Sequence, residues 1–219
     1  GDSDGWLSPM ARQAIDEAAV TLYANCGLAR AIKPLSRIVG SLSPQARSGD
    51  EAWDALAEAA WKRVTGSPMI FDAQGVRDIT LIQEEAVEMG LVRGEMFTVL
   101  TETTSGAARV AIRGAHAVGG VPKNGEIDRW RDGIYVTTDN FPLAYHFKGR
   151  RGRPGVVLQN RSVYHHAFRF MGSVRGVSAL AHALNNLRDP VEIAMAPKAA
   201  VQAAAHVAIT RKGDTPAGQ

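Results

Sequence analysis

Four of the six histidines, His116, His146, His165 and His166, fall between Ala107 and Arg175, where they could serve as metal ligands or as a catalytic base. Zinc chemistry needs three or four ligands, usually with a local pair such as H-x-x-x-H or C-x-x-C, and neither spacing occurs. On a strand the adjacent His165 and His166 point to opposite faces, so one ion could not take both. These histidines therefore read as strand or interface residues. Ser178 stands in Gly176-Val177-Ser178-Ala179-Leu180, which lacks the second glycine of a G-x-S-x-G nucleophile elbow, so a helix-capping hydroxyl is the better reading. Cys26 has no motif around it and reads as a small core residue on a helix face. No G-x-x-x-x-G-K-[ST] loop is present, so no nucleotide-hydrolysing motor is indicated. Glu84, Glu85, Glu88 and Glu95 might suggest a carboxylate cluster. A nuclease would need further acids from other elements, and a solvated or subunit-facing helix explains them more simply. No catalytic residue, metal or cofactor is assigned.

The cations are the sharper signal. Between Ala107 and Arg175 lie twelve Lys or Arg against four acids, so this segment carries +8 while the rest of the chain carries −5, within a total of +3. Within it, Lys148, Arg150, Arg151 and Arg153 share one Gly- and Pro-rich loop. Such a loop can hold phosphates without reading bases, with strong salt dependence, or can guard an exposed sheet edge against aggregation. The +8 segment can equally pair with acidic faces of neighbouring copies.

These residues must be positioned by two kinds of element. Ser8-Pro9 starts a first helix with Ile15, Ala18, Ala19 and Leu22 on one face, stopping near Asn25 to Gly27. A second carries Leu28, Ile32, Leu35, Ile38 and Val39 to Gly40, with Pro34 placed to kink or divide it. A third follows a Ser48 cap, with Trp53, Leu56, Ala57, Ala60, Trp61 and Val64 at helical spacing, and ends at Gly66; its tryptophans read as core or interface anchors. A fourth runs from about Val76 to Leu91. From Glu95 the period becomes that of strands, with Ser105-Gly106 turning into Ala107 to Ile112. Tyr135 to Thr138 and Leu143 to Phe147 form a hairpin about Asp139-Asn140, and Val156 to Leu158 and Ser162 to Phe170 are extended. Helices are expected from Ser178 to Leu187 and from Asp189-Pro190 toward Ile209, followed by a flexible tail. The fold class is thus α+β, divided as a helical region 1–93, a basic β-rich module 94–175, a helical segment 176–211 and a tail 212–219.

At 219 residues the chain can bury a real core, and 45% hydrophobic against 21% charged residues is ordinary for a globular protein. A single cysteine cannot form an intrachain disulfide, and no apolar run is long enough to cross a bilayer. The start, Gly1-Asp2-Ser3-Asp4, has neither an initiator Met nor the features of a signal peptide, and suggests a piece of a longer protein.

One succession of short signatures runs along most of the chain: Val39-Gly40, Trp61, Phe71-Asp72, Leu81, Gly94-Glu95-x-Phe97, Asp132-Gly133-Ile134, Pro142 with Tyr145-His146, a strand with His165 or His166, Arg175-Gly176-Val177-Ser178, and Leu187-Arg188-Asp189. Its order and spacing resemble the lambda-type portal protein family of tailed bacteriophages. The resemblance implies a non-enzymatic head-to-tail connector at a capsid vertex, a closed ring of about twelve copies, with duplex DNA passing through its channel. It also implies terminase large subunit, head-completion or adaptor proteins and capsid proteins as partners, a virion location after assembly in the host cytoplasm, and structural roles for Gly94, Glu95, Gly133, Pro142, Tyr145, Arg175, Gly176 and Ser178. The residues leave open a nucleic-acid-binding domain without sequence preference and a hydrolase with an unrecognised site.

Overall fold

A computed structural model of the chain describes residues 7–25, 27–40, 42–122, 127–149, 154–169 and 173–184. One compact unit extends from Gly1 to Ala181, and residues from His182 onward form a second.

The first unit begins with helices. α1 (Pro9–Asn25) starts where expected: the Ser8 hydroxyl accepts from the Ala11 N–H at 3.1 Å. It buries Ala19 and Leu22. After Gly27, at φ +72°, comes α2 (Leu28–Gly40), with Pro34 inside it rather than at a break. The face α2 buries is Ile32, Ser36 and Gly40, and its larger apolar residues Leu35, Ile38 and Val39 face water. Close packing explains this choice, because a Cβ on Gly40 would lie 2.7 Å from the Glu84 backbone nitrogen, so small residues let α2 approach the next long helix. α3 (Glu51–Thr65) is capped by Asp50, whose carboxylate accepts from the N–H groups of Ala52 and Trp53. The expected cap, Ser48, instead donates its N–H and hydroxyl to the Asp54 carboxylate. A single turn, α4 (Pro68–Phe71), follows.

α5 (Ile79–Arg93) starts a little later than its sequence suggests, because the Asp78 carboxylate caps it through the Leu81 N–H at 2.8 Å. It ends at Gly94, which adopts φ +84° and donates its N–H to Gly90. The glycine is needed twice here: for that dihedral, and because a Cβ would lie 2.2 Å from the carbonyl carbon of Val177.

Among the described residues, seven strands make two antiparallel sheets. β1 (Glu95–Glu102) is central to the first, flanked by β2 (Ala108–Gly114) and β7 (Val163–Ala167). β3 (Trp130–Arg131), β4 (Ile134–Val136), β5 (Pro142–Phe147) and β6 (Val156–Gln159) form the second in sequence order. The hairpin about Asp139-Asn140 is the β4–β5 turn, with Asn140 at φ +61°. Their common core is Phe97, Val99, Ala111, Val118, Ile134, Val136, Tyr145, Phe147, Val163 and Val174. Phe97 is its hub, with the rings of Tyr145 at 5.7 Å and Phe147 at 6.0 Å edge-on and His165 stacked at 4.4 Å.

At the C-terminal side, Ser178 leads into a turn and a 3-10 segment at Ala181–Ala183, and residues 185–187 of the helix expected from Ser178 to Leu187 lie outside the described residues. The expected helix from Asp189-Pro190 and the flexible tail lie outside the described residues.

Candidate functional site

Glu95 is the first residue of β1 and is fully buried, so its carboxylate must be matched by donors from other elements. Arg175, eighty residues on, supplies most of them: its Nε donates to Oε1 at 2.9 Å and its Nη2 also reaches Oε1. The Gly176 N–H donates to Oε2 at 2.9 Å, as does Nε2 of His165. From α1, Arg12 lies 3.5 Å from Oε1. The remaining donors of Arg175 gather carbonyls from two loops, those of Val118 at 3.3 Å, Ala115 at 3.0 Å and Asp132. The Asp132 carboxylate closes the circuit, bonded by Arg12 through Nε at 3.0 Å and by its Nη2, and 3.3 Å from Arg175.

The local conformations that allow this are glycine-dependent. Asp132 and Gly133 make the β3–β4 turn at φ +45° and +85°, and a Cβ on Gly133 would lie 2.3 Å from the Gly119 nitrogen. Gly176 lies so close to Gly94 that a Cβ would sit 2.1 Å from its carbonyl oxygen.

Burial acts to raise the Glu95 pKa, but the Arg175 guanidinium and the His165 hydrogen bond outweigh it and bring the carboxyl down to about 2. Burial lowers the His165 pKa, with Arg169 and Arg175 adding to the effect and Glu95 opposing it. A neutral imidazole satisfies the geometry: Nε2–H donates to Glu95 and Nδ1 accepts from Arg169 at 2.9 Å. His166 points to the opposite face, 2.9 Å from the Thr98 hydroxyl, and burial, then His165, lowers its pKa to about 4.

This arrangement immobilises elements. Every donor on Arg175 and both oxygens of Glu95 are engaged by protein groups, and the Ser178 hydroxyl is committed to backbone, near the Leu91 carbonyl at 3.3 Å and accepting from Leu180. Among the described residues, no group of three or more His, Cys, Asp or Glu is placed to hold a metal ion.

Of the residues singled out from sequence, Gly94, Glu95, Gly133, Arg175 and Gly176 come together here. Tyr145 packs beside them in the core, its ring 5.7 Å from that of His165. Pro142 is remote, opening β5 opposite Val136, with its carbonyl accepting from Asn160. Lys148 is exposed just after β5, while Arg150, Arg151, Arg153 and Cys26 lie outside the described residues. Glu95 is no member of a solvated glutamate face. Glu84, Glu85 and Glu88 stay on α5, where Glu85 pairs with Arg77 at 2.7 Å and Glu88 accepts from the Tyr23 hydroxyl at 2.5 Å. Sequence reasoning missed Arg12, whose lone position in α1 carries no local signature.

A helical layer joined to two sheets by a buried charge cluster defines an α+β protein. The family model described as "Phage portal protein, lambda family" matches residues 8–219, and the chain belongs to that family, which is structural and non-enzymatic. None of the curated proteins matches the chain.

Proposed function

We propose that the chain is a subunit of a portal ring at a capsid vertex, through which double-stranded DNA is packaged and ejected and on which terminase and the head-completion proteins dock. The family match over residues 8–219 carries this reading. A closed ring requires every subunit to offer two different, complementary faces, and about twelve copies suits the family. The +8 segment from Ala107 to Arg175 supports contact with passing DNA or with acidic neighbours, through phosphates rather than bases. Rigidity around Glu95 serves such a part, since a ring closes only if all subunits hold one shape.

Electron microscopy and mass measurement of the purified full-length gene product test the assembly, with annuli as the expected result and a persistent monomer as the result that overturns it. For DNA, Arg150, Arg151 and Arg153 changed together to Glu should lower ring yield or the DNA content of particles. Unchanged DNA content and titre would remove that loop from the account. A nucleic-acid-binding domain acting alone would instead show tight, salt-dependent binding of free duplex by the single subunit.

A further inference from the structure

Among the described residues, two apolar stripes stand largely or half exposed. On α3, Trp53, Leu56, Ala57, Ala60, Trp61 and Val64 span about 140° of the helix at 100° per residue. Trp53 is 56% exposed and Leu56 72% exposed. Thr65, at the far end, is the one buried residue of this helix, and nearer its start Asp54 and Glu58 accept from Ser48 and Ala46 of the preceding segment. A fifteen-residue helix is marginal alone in water, and its two tryptophans need a partner to be worth displaying. On α2, Leu35, Ile38 and Val39, continued by Leu42, form a second exposed stripe, with Ile38 75% and Leu42 71% exposed.

Neither stripe lies on the other within one copy, and one border of each carries charge opposite to the other's. α2 contains Arg30, Lys33 and Arg37 and no acid, with Arg30 and Arg37 bordering the Ile38 side of its outer face, Arg37 also 3.9 Å from Glu84 of the same copy. On α3, Asp54 and Glu58 border the Trp61 side of the apolar stripe and Arg63 borders the Leu56 side, so only the Trp61 border matches the basic border of α2. Resting on the ring reading given above, we propose that α3 of one copy lies on the outer face of α2 of the next. The two stripes are then the two unlike patches of a heterologous contact. Apolar burial supplies the attraction, and the charged borders set the direction of packing.

The test uses the full-length gene product with Cys26→Ser as background. Ile38→Cys and Leu56→Cys together, treated with a short bis-maleimide, should give a ladder of covalently joined copies, while each single cysteine gives none beyond background. Leu56→Arg should lower the assembled fraction at least tenfold and leave the subunit's melting temperature unchanged, because the residue is exposed in the single copy. Arg30→Glu should weaken assembly as well, and Glu58→Lys in the same chain should restore it.

Rings that form normally in the Leu56→Arg protein, with no ladder from the cysteine pair, overturn this contact and leave the portal reading standing. A cross-link confined to one copy, or a Leu56→Arg protein that melts early yet assembles, shows the stripe to be covered by the chain's own remainder and also overturns it. A wild-type protein that never leaves the monomer removes both readings. In any smaller assembly, the cysteine pair still decides whether α3 meets α2 of another copy.

Discussion

Around Glu95, charge is buried and partnered, whereas along α2 and α3 apolar side chains stand in water. The usual placement of polar and apolar groups is inverted in both regions, for different reasons. A buried ion cluster gains little net energy after desolvation, but only one geometry satisfies all its members, so it fixes how α1, β1, the β3–β4 turn and the Arg175-Gly176 segment meet. The exposed stripes add little to the core of the described residues. The centre is matched by its own groups, whereas the helical margin leaves apolar surface in water.

The largest effect that would break this contrast lies at the centre. Glu95→Ala or Arg175→Ala leaves a buried charge unmatched and is expected to destabilise the subunit by about 3–5 kcal/mol in urea unfolding. A loss within the range of ordinary surface changes would mean that the cluster is not closed to water.

Gly94→Ala and Gly176→Ala come next. Gly94 needs φ +84°, which costs an L-residue about 1–2 kcal/mol before the steric clash with Val177 is added. Gly176 has an ordinary dihedral but abuts the Gly94 carbonyl, so its loss should come from displaced backbone alone. Both variants should lower the melting temperature, Gly94→Ala by more.

Acid should act in two stages. His165 and His166 have lowered pKa values when folded, so the unfolded chain takes up their protons first, and stability falls as pH drops from about 6.5 toward 4. Glu95 is lowered to about 2, so its contribution is intact above the unfolded value of 4.5 and is lost between there and about 2. Denaturant midpoints measured from pH 8 to pH 3 should decline through both windows, and His166→Gln should weaken the upper one. A flat profile down to pH 4.5 would show both imidazoles to be well solvated.

The smallest effects on the subunit belong to the margin. Leu56→Arg should change its unfolding free energy by no more than about 0.5 kcal/mol, since that side chain is 72% exposed within one copy. Equal sensitivity of centre and margin would erase the distinction.

What the sequence makes legible is local. Ser8-Pro9, Gly66 and Asp139-Asn140 mark boundaries through chemistry that acts within four residues, and the structure has boundaries there. The inward face of α2 was not legible, because apolar periodicity favours Leu35 and Ile38 while the close approach to α5 selects Ser36 and Gly40. Ser48 lost the capping role to Asp50 because its hydroxyl had a nearer carboxylate in Asp54. The Glu95 cluster left traces in the family resemblance, at Gly94-Glu95, Asp132-Gly133 and Arg175-Gly176, but nothing that shows these pieces meet. Its charged members come from four separated segments, and no spacing rule links Arg12 to Asp132 or Glu95 to Arg175.

The last strand of the first sheet, β7, pairs with the first, β1, and Arg175 follows eight residues after β7 ends. A ribosome making this chain therefore releases Glu95, with Arg12 already made, long before Arg175 exists, and the cluster cannot close until residue 176 has cleared the exit tunnel. Nascent chains broken off before that point carry an acid lacking most of its donors at the root of an open β-strand. Quality control in the host would meet them as incomplete folding units, and only whole copies would reach the pool from which an assembly is drawn.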